Sequence, residues 1–223
     1  KSVGLNGVDT KAVNALSNYF KVTAYREGKE KTAEFERGVL IKEHKEAKTS
    51  EENGTFVTFV PDDKVFKNFH FVQEYLDNQF WNYCYLNAGL VMNLNGKRYV
   101  SKNGLLDLLQ RKTNEDEIRY PIIHLRGDDI EIAITHENDY GEEYYSFVNG
   151  QFTTQGGTHL AAFREGYVKT IREFYKKDYD ASDIRDCICA ALSVRGQESV
   201  FDSHTKSNLS SLTVYEGGPS MRN

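Results

Sequence analysis

The chain has 223 residues, 39% hydrophobic and 27% charged, with a formal net charge of −5, three prolines and three cysteines. That length suits one large or two small domains, each able to bury a core. No apolar run reaches the roughly 18 residues of a membrane span, no charged-then-apolar leader opens the sequence, and the negative balance argues against a dedicated nucleic-acid-binding domain, which carries a basic field. Any DNA contact is therefore expected to be local or delegated to other parts. Cys84, Cys187 and Cys189 form neither a CxxC pair nor an even set, and read as reduced thiols of a cytoplasmic protein.

A glycine-containing loop at 1–9 leads into a short helical pattern over 10–17, with Val13 and Leu16 on one face. Strand-like runs at 19–27 and 31–37 join through Gly28 as a hairpin. The polar stretch 42–53 reads as a surface loop, and 54–60 as a buried strand stopped by Pro61. Over 72–87, Val72, Leu76, Phe80 and Tyr83 recur at helical spacing, with Gly89 as the expected C-cap. A hairpin around Asn95-Gly96 follows over 90–100, then a short helix at 104–111. The charged run 112–117 is the candidate domain boundary. Strands are expected around 118–125, 130–136 and 143–149. The next helix carries a stripe of Leu160, Phe163, Tyr167, Ile171 and Phe174, opposite Arg164, Glu165, Lys169 and Lys176. A shorter helix over 181–187, capped by Asp180 or Ser182, precedes a strand over 188–195 and a polar tail from 203. The pattern is α+β in two parts, and the 14 tyrosines and 13 phenylalanines are read as sheet and core residues.

Three segments have chemical potential. In Gly4-Leu5-Asn6-Gly7-Val8, glycines ahead of a helix let backbone approach an anion, and the helix's unpaired N–H groups favour phosphate. Taken alone, such glycines are more often turns, and no GK[ST] follows to make a Walker loop. Gln155-Gly156-Gly157-Thr158-His159 is again glycine before a helix, with Thr158 as the expected N-cap. His204-Thr205-Lys206 places a lysine in the polar tail, able to meet phosphate as a flexible point charge. The six histidines match no hydrolase, zincin or zinc-finger spacing, so no catalytic nucleophile and no metal ligand is assigned.

As a set, these segments resemble the B subunits of bacterial type II DNA topoisomerases, gyrase and topoisomerase IV. Residues 4–8 followed by Lys11-Ala12-Val13-Asn14-Ala15-Leu16-Ser17 are similar to the family's glycine box and following helix. Gly54-Thr55 resembles its adenine-side segment, residues 155–164 its transducer signature, and His204-Thr205-Lys206 its Gln-Thr-Lys loop. The form of residues 154–159 and Ala181-Ser182-Asp183-Ile184 are more like topoisomerase IV than gyrase.

The resemblance implies an α+β chain in which 1–112 is the C-terminal part of a GHKL-type ATPase sandwich. It assigns 113–223 to a transducer domain with a left-handed βαβ crossover, with or without its last helix. It implies ATP binding by Gly4, Leu5, Asn6, Gly7 and Val8 at the phosphates, Thr55 at adenine, and His204 and Lys206 from the transducer. Arg164 is the candidate DNA contact. The implied cofactor is ATP with Mg²⁺, and the partners are a DNA duplex, the topoisomerase A subunit and a second copy of the B subunit, joined on ATP binding. The full subunit would be an ATP-hydrolysing isomerase driving strand passage. Its general-base glutamate, Mg²⁺-binding asparagine and adenine-reading aspartate are expected upstream, so the chain alone is expected to be inactive.

Two positions depart from the family pattern. Asp9 stands where the last glycine of the box is expected; a carboxylate roughly 4 Å from a phosphate charge costs up to about 4 kcal/mol at an effective dielectric of about 20, unless it turns away to cap the helix. His204 replaces the usual glutamine and makes that donor pH-dependent. Gly196 and Ser199 also stand where an apolar residue and a proline are expected. The alternatives are a non-catalytic dimerisation domain of the same fold, and a mismatch-repair-type relative.

Overall fold

A computed structural model describes residues 7–196, 207–212 and 220–222. The chain divides into two compact units, one of Gly4–Val72 and the other of Lys1–Val3 with Gln73–Asn223. The division falls at 72/73, and the charged run 112–117 lies inside the second unit.

The first unit is a short helix and one antiparallel sheet. Helix α1 (Asp9–Ala15) precedes β1 (Ser17–Arg26), β2 (Lys29–Glu36), β3 (Val39–Glu43), β4 (Ala47–Lys48) and β5 (Gly54–Pro61). The strand order is β3-β2-β1-β5, with β4 pairing β2. Two tight turns set the register. Glu27 and Gly28 take φ of 52° and 77°, and Arg37 and Gly38 take 48° and 81°, the paired positive values of a two-residue hairpin. The second hairpin turns part of the expected loop at 42–53 into β3 and β4, because Arg37-Gly38 returns the chain along β2. Strand β5 is where expected but it is not buried: as an edge strand it leaves Phe56 59% and Val60 46% exposed. Buried Asp62 ties the start of this sheet, accepting from Arg37 Nε at 2.6 Å and donating its N–H to Leu16 O at 2.9 Å. The Arg37 guanidinium and the Lys64 amide hold its carboxyl below the ordinary range.

The second unit begins with α2 (Gln73–Leu86), the hairpin β6 (Val91–Leu94) and β7 (Lys97–Val100), and α3 (Leu105–Lys112). Asn95-Gly96 makes the expected turn, with φ of 50° and 82°. Gly89 has positive φ but does not cap α2; its N–H donates to Ser101 O at 2.9 Å. The main sheet follows: β8 (Ile123–Arg126), β9 (Ile130–His136), β10 (Glu143–Val148), β11 (Gln151–Phe152) and β12 (Ile188–Val194). Its order is β11-β10-β12-β9-β8, with β10 and β12 parallel and the other neighbours antiparallel. The long connection between the parallel strands holds α4 (Thr158–Tyr175) and α5 (Ala181–Arg185).

Strand β12 is central and buried on nearly every residue, which explains its unbroken apolar run Ile188-Cys189-Ala190-Ala191-Leu192. On one face, Leu105, Leu108 and Leu109 of α3 pack with Ala133, Phe147, Cys189 and Ala191. On the other, Phe163 and Tyr167 of α4 pack against Ile134, Ile188 and Ala190. The expected α4 stripe faces the sheet through Phe163 and Tyr167, but it is only partly buried and does not extend to Phe174. His159 and Val168 are the buried residues of α4, whereas Phe174 is 77% exposed. Among the described residues no helix is long and apolar enough to cross a membrane.

Candidate functional site

The phosphate-side segment is described only from Gly7 onward; Gly4, Leu5 and Asn6 lie outside the described residues. Gly7 has φ of 61°, a left-handed conformation that favours glycine, and no heavy atom of the described residues lies within 4 Å of a hypothetical Cβ there. Val8 is the N-cap of α1 and 49% exposed. Its carbonyl accepts from Ala12 N–H at 2.9 Å, while the N–H groups of the first turn lack intrahelical acceptors, an arrangement that fits a phosphate oxygen. Asp9 is the first helical residue and the N-cap is Val8, so the alternative in which Asp9 caps the helix is not the one adopted. Its charge complements the helix N-terminus and would compete there with a phosphate.

Thr55 pairs with Ala24 near the Glu27-Gly28 end of β5, and is exposed. The C-terminus of α1 is tied at the other end of that strand through Asp62.

The 155–159 loop has a defined partner. Gln155 N–H donates to Ser207 O at 2.8 Å, Thr158 N–H to Leu209 O at 2.9 Å, and Leu209 N–H to Gly156 O at 3.1 Å. The Thr158 hydroxyl donates to Ser211 O, so it binds this segment and does not cap the helix; the N-cap is Gly157. Leu209 is 1% exposed and bridges Gly157 in parallel. Only glycine fits here. At Gly157, φ is 135° and a Cβ would stand 2.5 Å from Leu209 N and 2.8 Å from its Cα. His204 and Lys206 lie outside the described residues, but Ser207, next in sequence to Lys206, is thus fastened to the start of α4.

His159, the second residue of α4, is 3% exposed. Its Nε2 lies 3.3 Å from the Thr153 hydroxyl, which donates to Ser146 O at 2.8 Å, and its Nδ1 has no partner among the described residues. Burial drives its pKa down to about 4, so the ring is neutral.

Arg164 is not a free solvated cation. Its Nε and Nη2 meet the Glu142 carboxylate at 3.2 and 3.0 Å, and its Cζ sits 5.7 Å from the centre of the Tyr144 ring. Arg185 Nε donates to the same carboxylate at 2.9 Å, and the Tyr144 hydroxyl donates to it at 2.6 Å. Burial pushes the Glu142 carboxyl up, but Tyr144 and Arg164 outweigh it and hold it below the ordinary range. Neither Glu142 nor Arg185 is marked by sequence, since Glu142 meets Arg164 from 22 positions away along the chain and Arg185 from 43.

Among the described residues one trio offers metal-ligand atoms within 4.8 Å of one another: Glu137, Glu143 and Cys189. Burial, then the two carboxylates, pushes the Cys189 thiol up to about 12, so an ion would have to displace its proton.

The fold agrees with that of the relatives found by comparison. The DNA gyrase B family model matches residues 93–218. The B subunit of DNA topoisomerase 4 from Borreliella burgdorferi is 45% identical over 211 residues, covering 95% of this chain and 35% of that protein. The B subunit of DNA gyrase from Cytophaga aurantiaca is 31% identical over 240 residues, covering 96% and 50%. Among solved structures, the 43K ATPase domain of Thermus thermophilus gyrase B, in complex with an aminocoumarin, superposes with TM-score 0.75 at 24% identity, over 99% of this chain and 65% of that one. The ATPase region of Saccharomyces cerevisiae topoisomerase II does so at 0.77 and 22%, over 98% and 58%. These describe the α+β architecture of type II topoisomerase ATPase regions. The chain belongs to the DNA gyrase B family, the B subunits of type II DNA topoisomerases. It spans 35% and 50% of the length of the two curated relatives named.

Proposed function

We propose that this chain is the nucleotide-sensing and coupling portion of a B subunit of the topoisomerase IV kind, an isomerase that uses ATP to drive DNA strand passage. Residues 1–112 belong to its GHKL ATPase domain and 113–223 to its transducer. In this reading Gly4, Leu5, Asn6, Gly7 and Val8 supply backbone N–H groups to the phosphates, and Thr55 contacts adenine. Lys206 pairs with the terminal phosphate, with His204 as the neighbouring donor. ATP with Mg²⁺ supplies the bond whose hydrolysis resets the subunit; no residue of this chain is assigned to the ion or to the hydrolytic base. The partners are duplex DNA, the A subunit and a second copy of the B subunit, and the compartment is the cytoplasm.

The observation that carries the coupling is the fastening of residues 207–211 to Gly156, Gly157 and Thr158 at the start of α4. A lysine that gains or loses a phosphate partner then pulls on a segment hydrogen-bonded to the helix that covers the second sheet.

In the full-length protein, Lys206→Ala is expected to weaken binding of a non-hydrolysable ATP analogue by roughly 10- to 100-fold, as for loss of a charge-assisted hydrogen bond. Analogue-induced dimerisation and ATP-dependent relaxation with the A subunit should fall with it. Unchanged affinity and relaxation would remove Lys206 from the mechanism. A full-length protein that neither binds the analogue nor dimerises with it would return the chain to a purely structural role.

A further inference from the structure

We propose that Glu137, Glu143 and Cys189 form a binding site for a divalent ion of the zinc class, where three strands of the second unit's sheet meet. Such a site is independent of nucleotide binding.

The sheet builds the site. Glu143 opens β10 and is the register partner of Cys189, near the start of the neighbouring parallel strand β12. On the other side of β12, Thr135 of β9 is paired with Cys189, and Glu137 stands two residues further along. The Glu137 N–H donates to Cys187 O at 2.8 Å and so continues the β9–β12 ladder. Side chains two apart on a strand share a face, so both carboxylates and the thiol are delivered to the same side. One ligand atom from each residue lies within 4.8 Å of the other two. Cys189 joins the glutamates from far along the chain, which is why no sequence spacing marks a metal ligand.

Three further observations point to a cation. Among the described residues no lysine, arginine or histidine forms an ion pair with either carboxylate, so nothing basic offsets their mutual repulsion. The Cys189 thiol is 0% exposed and makes no hydrogen bond among the described residues, although both carboxylates are beside it. The Tyr145 hydroxyl donates to Glu143 Oε1 at 3.0 Å, an outer contact that orients a ligating carboxylate and leaves Oε2 for the ion. The donor set selects the metal. One thiolate and two carboxylates suit zinc, whereas Mg²⁺ and Ca²⁺ require a shell of oxygens. Tetrahedral Zn²⁺ holds its O and S ligands roughly 3.3 to 3.6 Å apart. Rotation of the exposed Glu143 and half-buried Glu137 side chains closes the remainder, and water takes the fourth position. As the metal–sulfur bond forms the S–H bond breaks, and its proton passes to solvent. The ion then ties β12 to both of its neighbours.

Cobalt reports a thiolate ligand directly, through a sulfur-to-metal charge-transfer band in the near ultraviolet. The full-length protein is stripped with a chelator, then held in excess Mg²⁺ to fill sites built of oxygen alone. Titration with Co²⁺ is expected to raise the band, and Zn²⁺ to abolish it by displacement. Cys189→Ala should lose the band. Tyr145→Phe should weaken Co²⁺ binding roughly tenfold, as for an outer-shell partner, and Glu143→Gln by more. Zn²⁺ should also raise the melting temperature of the unsubstituted protein but not that of Glu143→Gln. Cys189 lies in the core, so if Cys189→Ala does not fold, Glu143→Gln, at an exposed position, carries the test. The absence of a band in the unsubstituted protein, a band that survives in Cys189→Ala, or unchanged Co²⁺ affinity in Glu143→Gln would each overturn the site. None of these results bears on the nucleotide reading.

Discussion

Replacing Gly157 with alanine is expected to destabilise the second unit by about 3 kcal/mol or more and to release the segment that follows Lys206. The cause is local. A Cβ at this position would overlap the Leu209 backbone, standing 2.5 Å from its N, 2.8 Å from its Cα and closer still to its O. Backbone atoms cannot rotate aside as a long side chain can. The φ of 135° adds strain that only glycine avoids. Moving the 207–211 segment away would remove the strain but forfeit its bonds to Gln155, Gly156 and Thr158. Denaturant unfolding should show the loss, and amide exchange should report faster exchange at Thr158 and Leu209 before global unfolding. A change under about 0.5 kcal/mol with protection retained would show that the contact carries little energy.

The second large effect is a pH dependence seated at His159. Its folded pKa of about 4 lies below the ordinary 6.5, because burial disfavours the charged ring. The Nδ1 sharpens this, since protonation would create a second N–H for which the described residues offer no acceptor. The unfolded chain therefore binds the proton first, as pH falls below about 6.5. Full stability is present above that value. It declines by about 2 kcal/mol between pH 7 and 5, and by roughly 3 kcal/mol once pH reaches 4. His159→Gln should remove about 2 kcal/mol of the difference between pH 7 and 5, measured as denaturant midpoints. A ring proton titrating near 6.5 by NMR in the folded protein, or identical pH profiles for the two proteins, would rule this origin out.

Much of the fold is written in local patterns. Asn95-Gly96 and Glu27-Gly28 dictate hairpins from two residues each, and the apolar run of β12 marks a strand covered on both faces. The Asp180 cap is equally local, with its carboxylate accepting from Ser182 N–H at 2.8 Å. Arg37-Gly38 carries the same turn chemistry as the other hairpins, but the charged residues after it suggest a loop. The exposure of β5 escapes the sequence, because an apolar strand does not say whether a neighbour covers it.

At the candidate site, glycines before a helix announce that backbone will approach something, yet not what. For Gly156-Gly157 the answer is Leu209, more than fifty positions along the chain, and no sequence spacing contains it. The Glu142–Arg164–Arg185 group is invisible for the same reason. Each side chain reads as an ordinary surface charge until the start of β10, α4 and α5 are brought together. Asp9 is legible as a departure but not in its consequence, since whether it caps the helix depends on backbone angles the sequence does not show.

The parallel pairing of β10 with β12 also constrains how the chain is made. Register partners such as Glu143 and Cys189 lie far apart in sequence, and β12 occupies the middle of its sheet, between β10 and β9. A nascent polypeptide emerging from the ribosome can form the β8–β9 and β10–β11 hairpins early, but these remain separate pieces until the strand between them has been synthesised. Until then the apolar faces that α3 and α4 will cover have no common sheet to rest on. The sheet of the second unit is therefore joined only when β12, the last strand among the described residues, inserts between pieces that have been waiting for it.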